Sequence, residues 1–223
     1  NIDFQLNSTF DKLIYDQYEM ENVNGKLGIK DKRLTIKNLS MNILDGEMVV
    51  SGEYNAADLD RPEFDFDLNI SNIDIQKAYN TFGIMEKYAP IANKTQGKFS
   101  SQLNMKSILD QSMMPIYESM TGGGKLETTA LGIQDVNTLD KIADALKYEP
   151  LKNLVIDKVS LKFEFVDGKI LVEPFDIKQK NFNGKMAGWT AFDQSINYTM
   201  NLNIPRASFG KEANNVLNNL VSQ

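Results

Sequence analysis

The chain has 223 residues, 42% of them hydrophobic and 24% charged, with a formal net charge of −6. That is enough apolar sequence for a sizeable core without a disulfide or metal staple. It contains neither cysteine nor histidine, which excludes thiol nucleophiles, zinc–thiolate sites and histidine-based triads and leaves only all-oxygen metal sites.

The acidic balance argues against nucleic acid as a partner. No run of about 18 apolar residues occurs, so no membrane-spanning helix is expected. The chain starts at Asn1 with no signal peptide and reads as part of something longer.

Strand-period alternation dominates. The first unit, about 13–83, predicts strands over 14–29, 33–44, 47–54 and 63–71, with a helix from about Ile73. A middle segment, 97–148, follows. In "GKFSSQLNM", Phe99, Ser101, Leu103 and Met105 alternate, and "GGGKLETTALGI" reads as a glycine turn entering a strand. "NTLDKIADALK" reads as a helix capped by Asn137, with Leu139, Ile142, Ala143 and Leu146 in one stripe and Glu149-Pro150 closing it. The second unit, about 151–221, predicts strands over 153–166, 169–180, 184–192 and 195–204 and a helix from about Ser208.

The two units correspond. Leu27 and Ile29 match Phe163 and Phe165, and Leu34 and Ile36 match Ile170 and Val172. Gly46 aligns with Gly184 after a two-residue slip, and Phe66, Leu68 and Ile70 align with Met200, Leu202 and Ile204. Asp31 aligns with Asp167, where Asp167-Gly168 is a two-residue hairpin signal. Apolar parity switches between Ile36 and Leu39, and again between Val172 and Phe175. A period of two cannot change phase without an extra residue, so a bulge is expected near Asn38 and near Pro174. The expected fold is mainly β with a few α-helices: a long, curled antiparallel sheet, half-barrel-like, forming one domain over 1–223. Its candidate apolar groove or core face carries Leu27, Ile29, Leu34, Ile36, Phe64, Phe66, Leu68, Ile70, Phe163, Phe165, Ile170, Val172, Met200 and Leu202.

Chemical motifs are weak. "TGGGKLETT" fails the phosphate-loop pattern because Ser119 stands where the first glycine belongs and Leu126 follows Lys125. Asp65 and Asp67 alternate with Phe64, Phe66 and Leu68 and read as the polar side of a strand. Met20, Met41, Met105, Met186 and Met200 fall on apolar faces, suiting ordinary packing or variable acyl chains. Trp189 reads as the start of a new strand segment after Gly188, in a core or rim role. No catalytic residue, metal site or cofactor is expected.

Taken in order, "NGKLGIKDKRLTIKNLSMNILDGEMVVSGEYN", "FDFDLNISNIDIQKAYNTFG", "GKFSSQLNM", "ESMTGGGKLETTALGIQDVNTLDKIADAL" and "INYTMNLNIP" resemble the C-terminal region of the AsmA family of Gram-negative envelope proteins. The resemblance runs from about Leu13 to Pro205. It implies a periplasmic, non-enzymatic module of a protein anchored in the inner membrane. Such a module would bind or conduct phospholipid along an apolar β-groove in outer-membrane biogenesis, with other envelope proteins as possible partners. Two other readings stay open. A scaffold with a closed core would bind through edges such as 2–6 or 98–105, and a hydrolase would use paired carboxylates.

Overall fold

The computed structural model describes residues 3–15, 18–179, 182–205 and 214; the helix expected from Ser208 lies outside them. Eleven antiparallel strands form one open sheet whose spatial order is the chain order. They are β1 (Asp3–Tyr15), β2 (Tyr18–Lys30), β3 (Arg33–Ile43), β4 (Gly46–Asn55), β5 (Glu63–Asp74), β6 (Thr95–Ile108), β7 (Thr121–Gln134), β8 (Asn153–Val166), β9 (Lys169–Gln179), β10 (Phe182–Ala191) and β11 (Ile196–Asn203). Helices α1 (Ile75–Thr81) and α2 (Gly83–Tyr88) follow β5, and α3 (Asn137–Leu146) follows β7. The architecture is the expected mainly-β curled sheet.

The turns obey local chemistry. Asp31-Lys32, Leu44-Asp45 and Asp167-Gly168 all have positive φ at both central positions, the backbone of a turn whose twist matches its strands. Both expected bulges are present. Ile36 faces Gly52 and Leu39 faces Val50, so Lys37 and Asn38 of β3 oppose Ser51 alone, three steps along β3 against two along β4. Val172 faces Gly188 and Phe175 faces Met186, the same three-against-two step in β9 and β10. Further bulges fall at Asn22, Asn72 and Ala130. Asn22, Asn38 and Asn72 take left-handed φ of 52°, 47° and 54°, which Asn tolerates better than most residues. The bulge amides do not go unsatisfied: Asn38 N–H donates to Ser51 Oγ at 3.0 Å and Asn72 N–H to Ser100 Oγ at 3.0 Å.

The structure corrects several expectations. The stretch 14–29 is not one strand, because Tyr15 stands opposite Tyr18 and the chain before it pairs back as β1. Gly122, Gly123 and Gly124 form no turn but lie inside β7, where a Cβ on Gly124 would come 2.3 Å from Gln102 O. The reversal is the segment 109–120 instead. Residues 98–105 are no edge, since β6 is paired on both sides. β5 runs on to Asp74, whose side chain caps α1 by accepting from Lys77 N–H at 2.8 Å. Asn137 is the first helical residue of α3, and Val136 at the cap position makes no side-chain cap bond. Lys147, left-handed at φ 51°, closes α3 before Glu149-Pro150 is reached.

No slip falls at Gly46; the shift between the units lies in the β4–β5 connection, since the paired Gly52 and Phe66 are 14 positions apart and the paired Gly188 and Tyr198 are 10. Register equates Gly52 with Gly188 and Phe66 with Tyr198, so Leu68 and Ile70 correspond to Met200 and Leu202. Each glycine sits under an aromatic ring: an added Cβ would lie 2.4 Å from Phe66 Cδ1 at Gly52 and 2.6 Å from Tyr198 Cδ1 at Gly188. We therefore expect Gly52→Ala and Gly188→Ala each to lower stability by about 1–3 kcal/mol in chemical denaturation. Gly83→Ala, where a Cβ meets nothing within 4 Å, should change it by less than about 0.5 kcal/mol.

Candidate functional site

Because side chains alternate and the register holds, one face of the sheet can be followed strand by strand. A single row crosses all eleven strands: Leu6, Leu27, Ile36, Gly52, Phe66, Met105, Gly122, Phe165, Ile170, Thr190 and Ile196. A neighbouring row runs Leu39, Val50, Leu68, Leu103, Gly124, Phe163, Val172, Gly188, Tyr198. The bulges keep these rows apolar: without the extra residue in β3, Leu39 and Met41 would turn to the outer side.

The helices pack on this inner face at one end, which we call the lower end. Ile75, Ala78, Ala92, Ala143, Tyr148 and Leu151 are buried there against Ile73, Leu131, Leu154, Ile156, Ile177 and Phe182. Gln76 Nε2 ties α1 down by donating to Ala92 O at 2.9 Å and Thr95 O at 2.7 Å. At the upper end the segment 109–120 folds across the face. Tyr117 stacks on Phe192 of the β10–β11 turn, rings 4.4 Å apart, and both pack with Met120 and Phe165. On its other side the segment meets β4, where the Tyr54 hydroxyl lies 3.6 Å from Met113 Sδ. Ser107 and Ser119 hold its base, their hydroxyls 3.0 Å apart.

Between these covers, among the described residues, lies an open shelf. Leu27, Ile29, Leu34, Ile36, Phe66, Leu68 and Leu103 belong to none of the three buried clusters. The shelf runs out to β1, where Phe4 is 48% and Leu6 38% exposed. All fourteen candidate face residues share the inner face by register, but their burial differs. Phe64, Phe165 and Val172 are buried, Ile29 and Met200 are exposed, and Leu27, Leu34, Ile36, Phe66, Leu68, Ile70, Phe163, Ile170 and Leu202 are half-buried. The sequence marks an edge at 2–6 but not the full length of β1, which runs to Tyr15, and it gives no sign of the covering segment 109–120. The signal for β1 was present in Phe4, Leu6 and Phe10, two of them in strict alternation; no periodicity could reveal a segment that folds over a distant strand. Trp189 is inside β10, opposite Leu171 and Asn197 on the outer face, with Lys169 Nζ 4.6 Å above its ring; it is half-buried and faces away from the core.

The outer face is polar. A recess of about 860 Å³ at the lower rim is lined by Glu19, Glu21, Asn42, Asp45, Lys77 and Lys98 among others. Lys77 hydrogen-bonds Asp45 and holds its carboxyl below the ordinary range. Lys125 does the same for Glu127 and Lys152 for Asp144. These perturbed carboxylates are exposed and ion-paired, and they do not converge on one pocket. No family model, no curated protein and no solved structure matches the chain.

The lower cover gives a pH signature. Tyr148 is 2% exposed, and burial pushes its phenol above the ordinary value of 10. The unfolded chain ionises first, so the stability from burying this neutral phenol is full below about pH 10. It is lost as pH rises through the raised folded-state value. Thermal melts at about pH 9 and pH 11 should show a larger fall in Tm for the parent chain than for Tyr148→Phe.

Proposed function

We propose that this chain is a non-enzymatic, AsmA-like module that binds or conducts phospholipid along its inner face. On this reading it works in the periplasm, as part of a protein anchored in the inner membrane, in building the outer membrane. Other envelope proteins are its further partners. The observation that carries the reading is the shelf over β1 to β6: an apolar face, in register, covered at its ends by helices and by segment 109–120 and, among the described residues, not between them. An acyl chain leaving water gains about 0.8 kcal/mol per buried methylene, and a one-sided trough offers that gain without chemistry. The half-buried state of Ile36, Phe66 and Leu68 fits a surface that becomes fully covered only when occupied. The scaffold reading draws on the packed lower end, but it leaves the shelf without a role.

Native mass spectrometry of the purified chain, followed by organic extraction, tests the reading. Co-purifying phospholipid is expected. Ile36→Asp or Leu68→Asp should retain the fold and carry about tenfold less lipid, because a carboxylate on the shelf must be desolvated by the acyl chain. Thr35→Asp, on the other side of β3, should carry as much as the parent. Phe163→Asp is a poorer probe, since Phe163 packs into the upper cluster. A bare protein mass, with no lipid taken up from phosphatidylethanolamine vesicles, would favour the closed scaffold instead.

A further inference from the structure

An open sheet has two edges, and edge strands ordinarily carry charge, proline or a bulge that deters pairing. β11 carries none of these. Its eight residues, INYTMNLN, contain no charged side chain, whereas β2 carries Glu19, Glu21, Lys26 and Lys30 in the sheet interior. Among the described residues β11 pairs with β10 alone. Its inner-face residues are progressively uncovered toward the upper end: Leu202 and Ile204 pack against the lower cluster, while Met200 is 41% and Ile196 68% exposed.

The stretch 196–204, INYTMNLNI, is also self-complementary about Met200. Run against itself antiparallel, it sets Ile196 opposite Ile204, Tyr198 opposite Leu202 and Met200 opposite Met200 on the inner face. On the outer face Asn197 meets Asn203 and Thr199 meets Asn201. Every pair is like with like, apolar with apolar and uncharged polar with uncharged polar, as cross-strand neighbours prefer. The packed lower half of one strand would lie beside the exposed upper half of the other. The other edge strand, β1, is less well matched to itself: the register that opposes Phe4 to Phe10 also opposes Asp3 to Asp11, and the register about Phe10 opposes Asn7 to Leu13.

We propose that β11 is a homodimerisation edge, pairing antiparallel with β11 of a second copy about a two-fold axis at Met200. The pair makes one sheet of twice the strand number, with a single inner face running through both copies. The contact is isologous and closes at two.

Because the chain has no cysteine, a single introduced thiol reports the register directly. Sedimentation equilibrium of the parent chain should show a monomer–dimer equilibrium. Oxidised Met200→Cys should give a disulfide-linked dimer, since facing residues in such a pair have Cβ atoms about 4.5–5.5 Å apart. Ile196→Cys should not, because its own copy lies about 26 Å away along the pair. Met200→Lys, which sets two ammonium groups face to face, should sediment as a monomer with unchanged far-ultraviolet circular dichroism. A parent chain monomeric at all concentrations would overturn the proposal. So would equal cross-linking at 196 and 200, or open-ended growth, which would mean pairing of β11 with β1. Each readout concerns association, so failure here leaves the lipid assay standing, and the converse holds too.

Discussion

The structure depends on keeping one apolar face in phase across eleven strands. Side chains on a strand alternate with a period of two, so an error of one residue in any strand would turn its whole apolar set to water. The sequence changes parity within strands, and the backbone must change with it. Five bulges make that adjustment, and three of them use asparagine in the left-handed region. At two of them a nearby hydroxyl limits the cost of the extra residue, Ser51 for Asn38 and Ser100 for Asn72. At Pro174 no amide hydrogen exists to be satisfied. The face that results is continuous from Leu6 to Ile196, and among the described residues the covers over it are insertions between strands.

Those covers divide the face by chemistry. At the lower end, two helical insertions supply aliphatic and aromatic side chains and leave little exposed. At the upper end, segment 109–120 makes one aromatic stack with Phe192 and touches Tyr54. Over the middle of β1 to β6, among the described residues, no comparable segment folds back, and Leu27, Leu34, Ile36, Phe66 and Leu68 stay half-buried there. A face this apolar and only partly filled is unusual for a protein with no partner on it, and the proposed role rests on that contrast.

How much of this was legible in the sequence follows from the range of the forces involved. Strand period, hairpin turns at Asp31 and Asp167, and the paired bulges near Asn38 and Pro174 are local, and the residues announce them. Glycines were harder. Gly122 to Gly124 look like a turn because glycine usually marks one, yet they lie mid-strand, where the neighbouring backbone leaves no room for a Cβ. Identity likewise pairs Gly46 with Gly184 and misplaces the slip between the repeats, while the pair equivalent by register is Gly52 and Gly188, each beneath a ring. Which half of the inner face is covered depends on where long insertions dock, and no pattern within a strand encodes that.

The meander has a further consequence for how such a chain is made and altered. Among the described residues each strand bonds only to the strands just before and after it in sequence, so even where a long insertion intervenes each pairing joins consecutive strands, and assembly can proceed by adding one strand to a growing edge. No strand is threaded between others. Duplicating or deleting a pair of strands lengthens or shortens the sheet and leaves its remaining connections intact, an inheritance by increments that a barrel or sandwich, with its long-range closures, does not allow.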